Sequence, residues 1–177
     1  KKMIKFVFQD KPLGTGDAVL KTEKFIKNKF FLMLLPDDLI IKKNCSKSMI
    51  SINKRFNSSV MASMKVKKNN VSRWGIYDIK KKINKKDFII KNVIEKPTIK
   101  NAPSNNAVIG RYILPKNIFK KLKKLKPGKN NEIHITDAIQ LLINEDQKFI
   151  GHNFHGQYLD CGTMNGYINS SLEISKI

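Results

Sequence analysis

Apolar residues fall into short blocks separated by breakers, and the spacing within each block predicts its conformation. Ile4-Lys5-Phe6-Val7-Phe8 reads as a short strand running into the loop Gln9 to Thr15, with Pro12, Gly14 and Gly16 as breakers. From Asp17, the residues Ala18, Val19 and Leu20 lead a helical stretch toward Phe25 and Ile26. Phe30 to Leu35 is a continuous apolar run stopped by Pro36-Asp37-Asp38, which predicts a parallel strand covered on both faces. A helix is expected through Met49, Ile52 and Phe56. Val60, Ala62, Met64 and Val66 then recur with period two, a strand signal. Trp74-Gly75-Ile76-Tyr77 and Phe88-Ile89-Ile90 flank the basic linker Lys80 to Lys86 and read as the strands of a hairpin-like excursion.

Ala107 to Leu114 is a further apolar strand, broken by Pro115, after which Ile118, Phe119, Leu122 and Leu125 have helical spacing. A second amphipathic helix carries Ile135, Ala138, Ile139, Leu142 and Ile143 on one face, with Thr136 or Asp137 suited to cap it. A strand around Phe149-Ile150, the segment Tyr158-Leu159-Asp160-Cys161-Gly162 and a helix through Tyr167, Ile168 and Leu172 complete the pattern. Alternating strands and helices predict an α/β fold with a largely parallel sheet. No internal repeat or long linker divides the chain, so residues 1–177 are expected to form a single domain.

Composition narrows the function classes. At 177 residues and 41% hydrophobic content the chain can build one core. The formal charge of +21 invites a polyanion-binding reading. However, Arg55, Arg73 and Arg111 are the only arginines among 35 basic residues, and the lysines are scattered beside abundant Asn and Ile. That distribution predicts a solvated basic surface rather than a specific nucleic-acid interface. Cys45 and Cys161 lie far apart without CxxC spacing, which argues against a zinc site or a disulfide framework and favours a reduced, cytoplasmic setting. No apolar run reaches the length of a membrane span, so no membrane partner is expected.

Candidate chemistry is sparse. Asp37 and Asp160 each follow an apolar strand, and two carboxylates converging on one crevice can hold Mg²⁺, although an Asp after a strand is more commonly a turn or cap residue. Gly14-x-Gly16 could let backbone N–H groups approach a nucleotide, but the third glycine of a dinucleotide fingerprint is absent, and by itself the pair is a tight turn. Glu95-Lys96-Pro97 is either a solvated ion pair or a carboxylate for sugar hydroxyls beside an ammonium for phosphate. His134, His152 and His155 have no metal-ligand spacing.

Several motifs nevertheless occur in a distinctive order. They are Gln9-x-x-x-Leu13-Gly14-x-Gly16-x-Ala18-Val19, Leu35-Pro36-Asp37-Asp38, Trp74-Gly75-Ile76 and Ile94-Glu95-Lys96-Pro97, followed by Ser104 to Tyr112, Glu132 to Ala138 and Asp160-Cys161-Gly162-Thr163. The series resembles bacterial UDP-glucose pyrophosphorylases (UTP–glucose-1-phosphate uridylyltransferases) over nearly the whole chain. The resemblance implies a Rossmann-like nucleotidyltransferase fold with a mixed, mostly parallel sheet flanked by helices, its first βα units missing. It further implies that Gln9 reads the uracil edge, that Gly14 allows close approach to the base, and that Asp37 and Asp160 hold Mg²⁺. Gly75, Glu95 and the backbone near Val108 would line the glucose pocket, while Lys96 would meet the sugar phosphate. The implied catalytic set is Asp37, Lys96 and Asp160. UTP and glucose 1-phosphate would be converted to UDP-glucose and pyrophosphate by a homo-oligomer, a dimer or tetramer. The family's opening G-x-G-T-R segment does not occur in these 177 residues, so this polypeptide alone is expected to lack the triphosphate grip and turnover. The rival readings are a glucose-1-phosphate thymidylyltransferase and a non-catalytic polyanion-binding module.

Overall fold

A computed structural model describes residues 4–128 and 131–177. The chain divides into two compact units, one made of Lys1–Phe31 with Pro115–Gln147 and the other of Leu32–Leu114 with Lys148–Ile177.

The first unit is built on helices. α1 (Thr15–Leu20), α3 (Ile118–Leu122) and α4 (Ile135–Asn144) carry its regular structure. The sequence stripe on α4 is realised at four of its five positions, because Ile135, Ala138, Ile139 and Leu142 are buried while Ile143 is partly exposed; Ile118, Phe119 and Leu122 of α3 are buried too. Fully burying an aliphatic or Phe side chain contributes about 1.5–3 kcal/mol, so these two faces dominate the unit's stability. Phe31 stacks on Phe119 with ring centroids 5.4 Å apart. The expected cap of α4 is corrected: the N-cap is His134 without a side-chain cap bond, and the Ile135 N–H is met by Thr15 Oγ1 at 3.3 Å. A residue far away in sequence thus satisfies the helix end that Thr136 or Asp137 was expected to serve. The expected strand at Ile4 to Phe8 does not form. These residues have no regular structure, and Phe6 and Phe8 are 85% and 84% exposed. A strand requires a neighbouring backbone to pair with, which local apolar content does not supply.

The second unit contains β1 (Phe30–Leu34), β2 (Asp38–Ile41), α2 (Cys45–Phe56), β3 (Ser59–Lys65), β4 (Gly75–Lys82), β5 (Asp87–Glu95), β6 (Asn106–Pro115), β7 (Phe149–Asn153), β8 (Gln157–Asp160) and α5 (Met164–Ile174), with the terminal residues of β1 and β6 shared with the first unit. Among the described residues six strands form one sheet in the order β1-β6-β3-β7-β5-β4, and β2 pairs with β8 in a separate ribbon. The mixed α/β architecture is as expected, but the balance of strand directions differs. β3–β7 is parallel, whereas β3–β6, β4–β5, β4–β6 and β5–β7 are antiparallel. The hairpin is the physical reason: β4 and β5 return on each other through a short turn and β5 then lies against β7. Most of the basic linker belongs to this hairpin, since β4 continues to Lys82 and the Asn84 Oδ1 accepts from the N–H groups of Lys86 and Asp87 at 2.8 and 2.9 Å.

β1 is also corrected. Leu32 and Leu34 are 37% and 51% exposed, so the apolar run is not covered on both faces; it occupies an edge of the sheet. The core lies instead on β3, β6 and β7, where Met61, Ala62, Ile109, Leu114, Phe149 and Ile150 are buried. α2 is held by Asn44, whose Oδ1 accepts from the Lys47 N–H at 2.9 Å, and ends at Asn57 with φ of 47°.

Both cysteines are free thiols. Burial pushes the Cys45 thiol up to about 11, with Arg111 pulling weakly in the opposite direction. At pH 8 a thiol titrating there is thiolate in only about 0.1% of molecules. Iodoacetamide at pH 8 should therefore label the partly exposed Cys161 at least about ten-fold faster than Cys45, as read by peptide mass spectrometry. Equal rates at the two positions would contradict this account.

Candidate functional site

The second unit brings Asp37 and Asp160 together. Asp37 lies in the turn that ends β1, and Asp160 ends β8. Pairing of β2 with β8 sets Asp38 opposite Asp160, and the Cys161 N–H donates to the Asp37 carbonyl at 2.8 Å. A Cβ placed on Gly162 would lie 3.0 Å from Asp37 Oδ2 and 3.4 Å from Asp160 Oδ1, so glycine leaves open the space between the two carboxylates. The Gly162 N–H also donates to Asp160 Oδ1 at 2.9 Å, which orients that carboxylate. Among the described residues no cluster of three or more acidic, His or Cys side chains is placed to hold a metal. Two carboxylates with open space between them fit a hard cation such as Mg²⁺, which is usually bound through one or two carboxylates with the rest of its shell from water and substrate phosphates.

Asp38, adjacent in sequence, does something different. Its Oδ1 accepts from the Tyr158 hydroxyl and its Oδ2 from the Gly110 N–H, both at 2.5 Å, tying β2, β6 and β8 at one point. Arg111 supports the same turn, with Nη1 donating to the carbonyls of Leu35 at 2.8 Å and Gly110 at 2.9 Å. Burial first, then the hydrogen bond to Asp38 and the charges of Asp38, Asp160 and Asp37, push the Tyr158 phenol far above its ordinary range. Tyr112 is likewise pushed up, by burial and by the charges of Asp38, Glu95 and Asp37. Asp37, Asp38, Asp160 and Glu95 thus act on one end of the sheet, with Arg73 and Arg111 as the cationic side chains beside them.

Gly75, Glu95 and Val108 also converge. A Cβ on Gly75 would lie 3.0 Å from Glu95 Oε2 and 3.4 Å from Val108 Cγ2; the antiparallel pairing of β4 with β5 sets Gly75 opposite Glu95, and the pairing of Ile76 with Ala107 brings Val108 of β6 beside them. Lys96 is exposed, has φ of 44°, and its N–H donates to the Trp74 carbonyl at 3.0 Å. That left-handed turn terminates β5 and leaves the side chain on the surface.

Gln9 and Gly14 belong to the first unit. Gln9 Nε2 donates to the Gly14 carbonyl at 3.1 Å and to Asp17 Oδ2 at 2.8 Å, which holds the amide by its nitrogen. Gly14 has φ of 91°, and a Cβ there would lie 2.7 Å from the Ile133 carbonyl oxygen, so this position needs glycine for its backbone shape.

Arg73, Trp74 and Tyr158 stand beside the paired aspartates; Trp74 was read from the sequence only as part of the Trp74-Gly75-Ile76 motif, and none of the three was assigned a role in the site. Arg73 Nη2 is 3.9 Å from Asp160 Oδ2 and its guanidinium lies 5.9 Å from the Trp74 ring, which meets Tyr158 edge-on at 5.4 Å. The position of Arg73 immediately before Trp74-Gly75 was the signal available; its partner lay 87 residues further along, which no local pattern encodes (160 − 73 = 87).

The family profile described as nucleotidyl transferase matches residues 2–177. The chain belongs to this family. The nucleotidyl transferase chain is 36% identical over 173 residues to a UTP–glucose-1-phosphate uridylyltransferase 2 of Streptococcus pyogenes serotype M3, covering 95% of itself and 58% of that relative. Its fold matches a UDP-glucose pyrophosphorylase complexed with UDP-glucose at TM-score 0.88 and 38% identity, covering 97% of this chain and 66% of the other. A UTP-bound UGPase from Acinetobacter baumannii matches at TM-score 0.80 and 30% identity, over 93% of this chain and 57% of that one. The nucleotidyl transferase chain therefore spans about three-fifths of the curated relatives it matches. Among its described residues no helix is long and apolar enough to cross a membrane.

Proposed function

We propose that this chain is part of an enzyme that makes UDP-glucose and pyrophosphate from UTP and glucose 1-phosphate. The observation that carries the reading is the pair Asp37 and Asp160 facing the open space at Gly162. Names of the similar proteins support the choice of uridylyl transfer. In this reading a phosphate oxygen of glucose 1-phosphate forms a new bond to the α-phosphorus of UTP. The bond from that phosphorus to the β-phosphate oxygen breaks, and pyrophosphate leaves with its electron pair. Such transfers depend chiefly on positioning and charge neutralisation. Bound Mg²⁺, held by Asp37 and Asp160, would supply charge neutralisation. Glu95 and the backbone around Val108 would hold the glucose hydroxyls, Gly75 would leave room for the ring, and Lys96 would meet the sugar phosphate. Residues 1–177 would act as one nucleotidyltransferase domain. A cytoplasmic setting and a homo-oligomeric state, implied by the resemblance, belong to the same reading.

The test is calorimetric titration of the chain with UDP-glucose in the presence of Mg²⁺, with dTDP-glucose as comparator. Tighter binding of UDP-glucose is expected. Preference for dTDP-glucose, or failure to bind either, would sink the assignment.

Gln9 supplies a second check. With its nitrogen engaged by Gly14 and Asp17, its Oε1 is the acceptor left to take a uracil N3–H, a donor that cytosine lacks at that position. Gln9→Ala is expected to weaken UDP-glucose binding by roughly ten-fold and to narrow the preference over CDP-glucose. Unchanged discrimination between the two sugars would remove Gln9 from the base-reading role.

A further inference from the structure

A cavity of about 620 Å³ opens in the second unit at the turn between β4 and β5, and Lys65, Lys82, Lys85 and Lys86 line it. Its size is that of a small-molecule site. Among the described residues none of these four ammonium groups forms an ion pair. Asp87, the carboxylate in the wall, is already engaged: Oδ2 accepts from Asn84 Nδ2 at 2.8 Å, and Oδ1 lies 2.6 Å from His152 Nδ1. Four like charges around one concavity repel each other, and an anion between them relieves that repulsion.

The deeper wall adds an independent observation. Asn106, only 7% exposed, and Asn153 both line the cavity, and the Oδ1 of each is buried without a hydrogen-bond partner among the described residues. An adjoining cavity of about 300 Å³ shares Lys65, Lys85, Lys86 and Asn153 and reaches Ser63, whose buried Oγ is also unpartnered. An unsatisfied buried polar group costs about 1–3 kcal/mol, so such a cluster is a standing demand for hydrogen-bonding partners. These oxygens are shielded from solvent as they stand, and a small rotation of the Asn106, Asn153 or Ser63 side chain toward the cavity would bring them to ligand hydroxyls. A half-turn of either amide would present N–H donors to phosphate oxygens instead.

We propose that this cavity is a binding site for a small phosphorylated ligand bearing hydroxyl groups, a sugar phosphate in chemical class. The lysines take the phosphate at the rim, and Asn106, Asn153 and Ser63 take hydroxyls below it. None of Asp37, Gly75, Glu95, Lys96, Val108 or Asp160 lines either cavity; Tyr158, which stands beside the paired aspartates, lines the smaller one, so it is the larger, lysine-lined cavity that is distinct from the proposed transfer site.

Calorimetric titration of the full chain in phosphate-free buffer tests this with three probes: glucose 6-phosphate, inorganic phosphate and uncharged glucose. Glucose 6-phosphate should bind, inorganic phosphate should bind more weakly, and glucose should give no measurable heat. The exposed double variant Lys82→Glu/Lys85→Glu should weaken glucose 6-phosphate by about ten-fold or more, because like charges then face the phosphate. Asn106→Leu should weaken glucose 6-phosphate by roughly ten-fold while changing inorganic phosphate little. If circular dichroism shows that Asn106→Leu does not fold, the charge variant decides. Glu95→Ala/Lys96→Ala, which removes the side chains proposed to hold sugar and phosphate in the transfer site, should leave binding of glucose 6-phosphate unchanged. The proposal is overturned if glucose 6-phosphate fails to bind at millimolar concentration, if Lys82→Glu/Lys85→Glu binds it as tightly as wild type, or if Glu95→Ala/Lys96→Ala abolishes binding. That last outcome would place the ligand in the transfer site and leave the proposed reaction standing.

Discussion

In the longer enzyme of which this chain is proposed to be part, Asp160→Asn and Asp37→Asn should each reduce uridylyl transfer by roughly 10³-fold, the scale of several kcal/mol of lost charge stabilisation. Asparagine is the informative substitute because its amide oxygen can still accept from the Gly162 N–H at 2.9 Å in the case of Asp160, so local geometry survives while the charge is lost. The isolated chain offers a reading that needs no turnover. Mn²⁺ binding in the presence of UDP-glucose, followed by electron paramagnetic resonance, should weaken at least about ten-fold in either variant, since one of two charged ligands becomes neutral. Thermal stability should change little, because the Asp37 carboxylate is exposed and the fold-holding hydrogen bonds at this end belong to Asp38. Retained Mn²⁺ affinity in both variants would mean that the paired carboxylates are not a cation site.

Gly110→Ala should be the most damaging of the small substitutions, at a cost of about 3 kcal/mol from overpacking and a disturbed hydrogen bond. A Cβ there would lie 2.5 Å from Asp38 Oδ2, 2.6 Å from Leu35 Cβ and 2.7 Å from Leu35 Cδ1. Separations that short force backbone movement, and the backbone concerned is fixed from several directions. The Gly110 N–H donates to Asp38, and its carbonyl accepts from the Leu35 N–H at 2.8 Å and from Arg111. For a chain of this length such a loss corresponds to a melting temperature lower by about 6–12 °C. Asp38→Ala in the same chain would remove the clash with Asp38 but not the one with Leu35, so the pair should be non-additive and the double variant still destabilised. A melting shift of less than about 2 °C for Gly110→Ala would show that the turn carrying Asp37 is looser than its hydrogen bonds imply.

Local periodicity was a sound guide wherever one element's own residues determine its buried face. On α4 four of the five apolar positions at helical spacing are buried, Ile143 being partly exposed, and the run from Val60 falls on strand β3, although there the alternating positions Met61 and Ser63 are buried as well. It failed where a neighbour decides. Ile4 to Phe8 has strand-like composition and no strand, and the apolar run of β1 sits at a sheet edge with Leu34 half exposed. The same limit governs the site. Asp37 and Asp38 are indistinguishable by pattern, yet one faces Asp160 and the other is consumed by Tyr158 and Gly110.

Sequence by itself determined the α/β composition of the chain, most element positions, and the family, because an ordered series of short motifs survives independently of how the strands pair. Tertiary structure alone decided the strand directions, the meeting of Asp37 with Asp160 through the β2–β8 register, the structural use of Asp38, and the grouping of four lysines over unpartnered asparagines. The reason is physical: each of these depends on which backbones hydrogen-bond across separations of tens of residues, and the free energy of that pairing is spread over the whole sheet rather than encoded at the residues it brings together.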